Sequence, residues 1–325
     1  MQAFEKSSES SRLCARRALL LRRIKSVAAR PRRRRRGLAC GLAMSASLST
    51  SQPNMNASHQ PSRPTRPRRL TVVDTHVLSP HLRRVLLGGP DLHDFPESQA
   101  GAHIKLFIPS PGQALQLPRL GANGVEWPPG PRPIARTYSL RGRDARGGTL
   151  SVDFVLHGNG GPASKWAAQA RVGDAIGLSG PGGPPLYRAD AERHLFCGDL
   201  SALPAIAAAL ERLPAQARGL ALIEIADLAD ELPLRHPPGI ELRWLRRAPD
   251  AESPLPALVA KARWSALDQA SATVAGESTA VAVMRALLLA KGLRRDRLYA
   301  VPYWRRGQRE EDYHAERHRF MDEEA

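Results

Sequence analysis

The sequence predicts a small antiparallel β-barrel followed by a parallel α/β sheet. Two observations predict it. Up to about Pro185 the chain reads as short alternating strands, Gly- and Pro-marked turns and a single helix, the pattern of a closed antiparallel sheet. Beyond Pro185 strands alternate with helices, and LALIEIA at 220–226 is apolar almost throughout, as a strand covered on both faces must be.

The elements follow in order. RLTVVDTHVLSPHLRRVLL at 69–87 makes two strands about a Ser-Pro turn, and 104–108 (IKLFI) a third. Residues 109–135 are rich in Pro and Gly and read as loop. ARTYSLR at 135–141 and LSVDFVL at 150–156 are strands, and ASKWAAQAR at 163–171 is a short helix opened by Pro162. A strand at 175–179 completes the barrel. In the second half, RHLFC at 193–197 runs through Gly198-Asp199-Leu200-Ser201 into a helix over 204–213. Strands at 220–226, 240–245, 272–275 and 298–301 alternate with helices at 255–262 and 279–291, the last stopped by Gly292.

Composition bounds the function. Of 325 residues 42% are hydrophobic, so a core is available; three cysteines exclude a disulfide scaffold. No run of 18 uncharged apolar residues marks a transmembrane helix. The net charge of +17 hints at nucleic acid, but residues 1–69 hold 17 of the 48 Lys+Arg and only two of the 31 Asp+Glu. The rest, with 31 basic against 29 acidic residues, is nearly neutral, which argues against a nucleic-acid binder. Residues 1–68 form an Arg-, Ser- and Pro-rich leader expected to be disordered. It reads as a transit peptide, a basic tail, or a segment outside the working protein, with Met44 or Met55 as alternative starts. Domains are expected at 69–187 and 188–309, with a charged tail at 310–325.

Three segments carry chemistry. In Arg136-Thr137-Tyr138-Ser139-Leu140-Arg141, Arg136 and Tyr138 share one strand face. Arg136 suits a pyrophosphate, unless this is an ordinary strand with surface arginines. In His157-Gly158-Asn159-Gly160-Gly161-Pro162-Ala163-Ser164-Lys165-Trp166, glycines and a helix N-terminus invite a phosphate. Ser164 caps the helix or donates to that phosphate; Trp166 stacks on a ring or packs in the core. Gly198, Asp199, Ser201 and Pro204 stand at a strand-to-helix turn, where α/β sheets bind ligands. Gly276 and Glu277 open the next helix and line the same crevice, or Glu277 simply favours its helix dipole.

Taken with HIKLFIP at 103–109, GDAIGLSGPGG at 173–183, GDLSALPAIAAALERLP at 198–214, VAGES at 274–278 and YWRRG at 303–307, these segments resemble the siderophore-interacting proteins, FAD-containing ferric-siderophore reductases of the ferredoxin–NADP reductase type. The resemblance spans 69–309; Leu200-Ser201 stand where the family has Glu-Thr. It implies FAD held by Arg136, Tyr138, Ser139, Arg141, His157, Gly161, Pro162, Ala163, Ser164 and Trp166, with Ser139 near flavin N5. It implies NADPH or NADH at Gly198, Asp199, Ser201, Pro204, Gly276 and Glu277. An anionic ferric siderophore would lie against Lys105, Arg305 and Arg306; a strand-surface lysine and a solvated loop are the plainer readings of these three. Tyr303-Trp304 covers a flavin ring or packs. A ferredoxin is an alternative donor, and a cytoplasmic monomer without nucleic-acid partner or stable membrane insertion is expected.

No metal site is expected: His314 and His318 are four apart, but Glu316 is misplaced for H-E-x-x-H. The rival functions are a flavin reductase with another acceptor, a siderophore carrier without catalysis, and a nucleic-acid or membrane-surface binder driven by the leader.

Overall fold

The computed structural model describes residues 65–97, 99–121, 124–144, 146–157, 161–262, 267–308 and 313, all within the compact unit Ser62–Ala325. The predictions for the leader up to residue 64, for Gly158–Gly160, for the tail apart from Tyr313 and for His314 and His318 lie outside the described residues.

The first half contains β1 (Arg68–Ser79), β2 (Leu82–Gly88), β3 (His103–Ile108), β4 (Arg119–Gly121), β5 (Gly124–Glu126), β6 (Ile134–Asp144), β7 (Thr149–Val155), α1 (Pro162–Gln169) and β8 (Ala175–Gly182). Six strands close a barrel in the order β1-β2-β7-β6-β3-β8, every pair antiparallel. The alternation legible in β1 is the cause: Arg68, Leu70 and Val72 are buried while Arg69, Thr71 and Val73 face out. Inside lie Leu70, Val85, Ile104, Leu106, Val152 and Phe154. Helix α1 lies against this core through Ala163 and Ala167, four residues apart and both buried.

The second half contains β9 (Arg193–Asp199), α2 (Leu203–Leu210), β10 (Arg218–Ile225), β11 (Gly239–Arg246), α3 (Leu255–Lys261), β12 (Ser271–Glu277), α4 (Ser278–Ala290) and β13 (Leu298–Trp304). The sheet is parallel throughout, in the order β11-β10-β9-β12-β13. All eight residues of α2 are buried, matching its uniformly apolar LPAIAAAL; a helix apolar all round must be covered all round. One core cluster joins Leu82 and Leu186 from the barrel side to Phe196, Ile206 and Ile223, so the halves share packing. The direction of winding reverses between β9 and β12, and the crevice outside the carboxyl ends of those strands is where such sheets take ligands.

The structure differs from the sequence reading in one loop and at several element ends. The 109–135 loop contains the β4–β5 hairpin, with Arg119 paired to Glu126 and Gly121 to Gly124. Strand β13 runs on through Pro302 to Trp304 instead of ending at Val301.

His194 has a measurable consequence for stability. Its side chain is 0% exposed, stacked near Phe196 at 6.1 Å and edge-on to Tyr187 at 5.7 Å. Burial pushes the imidazole below its usual range, only partly opposed by the Ala191 backbone. The unfolded chain therefore takes up a proton below about pH 6.5 that the folded chain refuses. Stability is full above that pH and falls as pH drops, by up to about 1.4 kcal/mol per unit. Denaturant titrations from pH 7 to 5 should show a shallower acid slope for His194→Leu than for the unmodified protein; equal slopes would remove His194 as the cause.

Candidate functional site

A cleft of about 2770 Å³ opens between barrel strands, α1 and the carboxyl edge of the sheet. Single small-molecule pockets are commonly about 300–1,000 Å³, so this volume accommodates more than one ligand.

Strands β3 and β6 build one wall. Arg136, Tyr138, Ser139 and Lys105 all line the cleft. The register sets their order: Lys105 opposes Thr137 and His103 opposes Ser139. Arg136 donates through Nη1 to the Ala135 carbonyl at 2.9 Å. The Tyr138 ring rests 4.6 Å from Phe154, and Ser139 is buried. Arg141 is not brought in. Its guanidinium forms a fork with Glu211, Nη1 to Oε2 at 3.0 Å and Nη2 to Oε1 at 2.5 Å, just past α2. It fastens the barrel to the sheet and is not among the residues that line the cleft.

The opening of α1 builds the second wall. His157, Gly161, Pro162, Ala163, Ser164 and Trp166 all line the cleft. The Ser164 hydroxyl accepts from the His157 N–H at 3.3 Å, pinning the strand end to the helix. Trp166 packs 5.6 Å from Phe154 and also lines the cleft. At its other end α1 is closed by Arg83, which donates to the carbonyls of Ala168 at 2.8 Å and Ala170 at 3.3 Å. A cation there complements the helix dipole.

The sheet edge builds the third wall, and only part of the predicted set reaches it. Asp199, Ser201, Pro204 and Arg305 line the cleft, whereas Gly198, Gly276, Glu277 and Arg306 do not. Gly198 is a packing glycine: a Cβ there would stand 2.6 Å from the Ala202 Cβ and 2.9 Å from the Ala275 oxygen. Glu277 caps α4, accepting from the N–H groups of Thr279 at 2.7 Å and Ala280 at 3.1 Å. The helix-terminus reading is therefore the one observed for Glu277. Arg306 is exposed, its backbone N–H 3.5 Å from Glu277 Oε1.

Sequence reasoning missed other residues of this wall. Glu224 and Arg247 line the cleft as a pair, Nε to Oε1 at 2.5 Å. His81 lines it too, with Nδ1 2.8 Å from Oδ2 of the fully buried Asp230. These partners are 23 and 149 residues apart, with no local pattern joining them.

The donor set suits FAD. Helix α1 has no side-chain cap and no acidic residue in its first turn, and that turn faces the cleft. Its amides thus form an anion seat for a pyrophosphate, with Arg136 on the adjoining wall. Of the acidic residues that line the cleft, Asp153 and Glu224 are answered by Arg84 and Arg247. Among the described residues, no group of three or more His, Cys, Asp or Glu is placed to hold a metal, and no helix is long and apolar enough to cross a membrane.

These features define a flavin-reductase arrangement, with a barrel that offers an anion seat and a sheet whose carboxyl edge completes the cleft. Residues 71–185 match the model of the siderophore-interacting FAD-binding domain, and residues 191–307 that of the siderophore-interacting protein. The chain belongs to the siderophore-interacting protein family. It is 42% identical over 262 residues to the ferric vibriobactin reductase ViuB of Vibrio cholerae, covering 79% of this chain and 96% of that one. It is 35% identical over 181 residues to the NADPH-dependent ferric-chelate reductase of Escherichia coli, covering 55% of this chain and 70% of that one. The crystal structure of SipS from Aeromonas hydrophila superposes with TM-score 0.70 at 40% identity, covering 79% of this chain and 99% of that one. Ferredoxin reductases of lower identity share the fold.

Proposed function

We propose that the protein is an FAD-dependent reductase of ferric siderophores, with NADPH as donor. The carrying observation is the uncapped first turn of α1 facing the same cleft as Arg136, Tyr138 and Lys105, in a chain that aligns with nearly all of a ferric vibriobactin reductase. The name of the Escherichia coli relative supports NADPH. Bound FAD would supply the conversion of a two-electron donor into single electrons.

The chain's own residues bind and orient. First-turn amides of α1 and Arg136 hold the pyrophosphate, Tyr138 and Trp166 flank the rings, and Ser139 lies at the reacting edge. Lys105 and Arg305 attract the anionic ferric chelate. We take 69–187 as the flavin half, 188–309 as the nicotinamide half, and a cytoplasmic monomer as the working form. One donor reduces two Fe(III) to Fe(II) and leaves one proton. Fe(II), poorly matched to siderophore oxygens, then departs.

The test is an absorbance spectrum with FAD, repeated anaerobically with NADPH and then a ferric siderophore. Flavin bands should appear, bleach with NADPH, and return as a ferrous trap colours. Absence of any flavin binding overturns the proposal. Bleaching that only quinones reverse favours a flavin reductase with another acceptor.

A further inference from the structure

Asp199 ends β9 at the point where the winding of the sheet reverses. Its Oδ1 accepts from the Ser201 N–H at 2.9 Å and the Ser201 hydroxyl at 2.5 Å. Its Oδ2 accepts from the Glu277 N–H at 3.0 Å and from the Trp304 indole N–H at 2.8 Å. An ionised carboxylate has about four acceptor positions, so this one is filled by protein. The surroundings are shaped to it: Gly276 has φ +127°, and a Cβ there would stand 2.5 Å from Oδ2. Although Asp199 borders the cleft, it has no acceptor position left for a ribose or a carboxamide.

Trp304 is the last residue of β13 and also lines the cleft. Its one donor is tied to Asp199. Among the described residues its ring pairs with no other aromatic ring, whereas Trp166 rests on Phe154. The structure therefore shows an indole fixed at one end by a saturated carboxylate, at the switch point of the sheet, with no aromatic partner of its own.

We propose that Asp199 is a positioning residue that fixes the Trp304 indole as the wall against which the nicotinamide donor docks. This deepens the reductase reading and rests on it. The Oδ1 side of the carboxylate holds the turn into α2, and the Oδ2 side holds the indole and the β12–α4 corner.

The two sides can be separated. Trp304→Phe keeps an aromatic ring but removes the N–H that Asp199 holds together with the five-membered part of the indole, while Ser201→Ala disturbs Oδ1 alone. Asp199→Asn sets an amide NH2 against N–H donors on one side. NADP+ and NAD+ are titrated separately into FAD-loaded protein by calorimetry, alongside 19F NMR of protein labelled with 5-fluorotryptophan, with Trp304→Phe assigning the Trp304 resonance. Loss of a fixed aromatic face should weaken the preferred nucleotide about three- to tenfold. It should raise the KM for NADPH with little change in kcat, and leave binding of ferric tris-catecholate unchanged. Asp199→Asn should shift or broaden the Trp304 resonance and give the same weakening, and the double variant should add nothing further. Ser201→Ala should leave the Trp304 resonance as it was, since it removes a donor from Oδ1 only.

Unchanged affinity in Trp304→Phe overturns the proposal, as does tighter binding, which would mean that the ring covers the cofactor and competes with the donor. If Asp199→Asn does not fold, Trp304→Phe decides. A wild-type protein that binds neither nucleotide overturns the proposal as well. One that shows the expected nucleotide pattern but reduces no ferric chelate overturns the acceptor reading alone.

Discussion

Arg136→Ala should raise the dissociation constant for FAD about ten- to a hundredfold. A hydrogen bond to a charged group contributes about 1.5–3 kcal/mol, and about 1.4 kcal/mol is a factor of ten. Arg136 donates to its neighbour's carbonyl and lines the cleft beside β3, where a bound pyrophosphate would accept charge-assisted hydrogen bonds from it. Arg136→Lys keeps the charge but loses the planar fork, and should fall between the two. Arg141 is the internal control. Two residues from Ser139 on the same strand, it is paired with Glu211 away from the cleft, so Arg141→Ala should lower stability and leave FAD affinity alone. Quenching of flavin fluorescence on titration into apo-protein gives the affinities, and thermal melts give the stabilities. Equal FAD affinity in Arg136→Ala and the unmodified protein would remove Arg136 from the cofactor site.

Arg136 and Arg141 show where a sequence stops being informative. Strand β6 was legible from RTYSLR and the turn signals on either side of it. Which of its arginines lines the cleft was not legible, and a register shift lies between Leu140 and Gly142 in the pairing with β7. Such a shift disturbs the simple alternation of faces. The opposite case is β13. Pro302 reads as a strand breaker, yet β13 is the edge of its sheet, where a missing N–H on the open side costs no ladder hydrogen bond. The strand therefore continues to Trp304 and delivers it to Asp199. The helix starts were readable from Pro162, Pro204 and the Gly-rich turns. Glu277 offered two roles that only the capping distances separate. Contacts such as His103 Nε2 with the Tyr299 hydroxyl, 2.5 Å apart across 196 residues, have no local signature, because they arise from packing of the barrel against the sheet.

The largest stability effect should come from Asp153, through the same packing. Its side chain is 3% exposed. It accepts from Arg84 through Nε at 2.7 Å and Nη2 at 2.8 Å, and Arg141 Nε stands 3.9 Å away. Arg141 in turn holds Glu211, which follows the C-terminal end of α2, where a negative charge alone opposes the helix dipole. Two cations and two anions thus run from β2 through β7 and β6 to α2. Asp153→Ala removes the central anion and leaves Arg84 and Arg141 as partly buried cations. Breaking a buried pair from one side costs about 3–5 kcal/mol, which for a domain of this size lowers Tm by roughly 10 °C. Most of that cost is the stranded charge, not the lost attraction. Arg84→Met together with Asp153→Leu should therefore recover most of the stability, since apolar replacement of both partners is often neutral. Glu211→Gln, on a residue one third exposed, should cost about 1 kcal/mol or less. Urea denaturation of the four proteins ranks them. A double variant as unstable as Asp153→Ala would mean that Asp153 acts through the shape of the β7 wall and not through its charge.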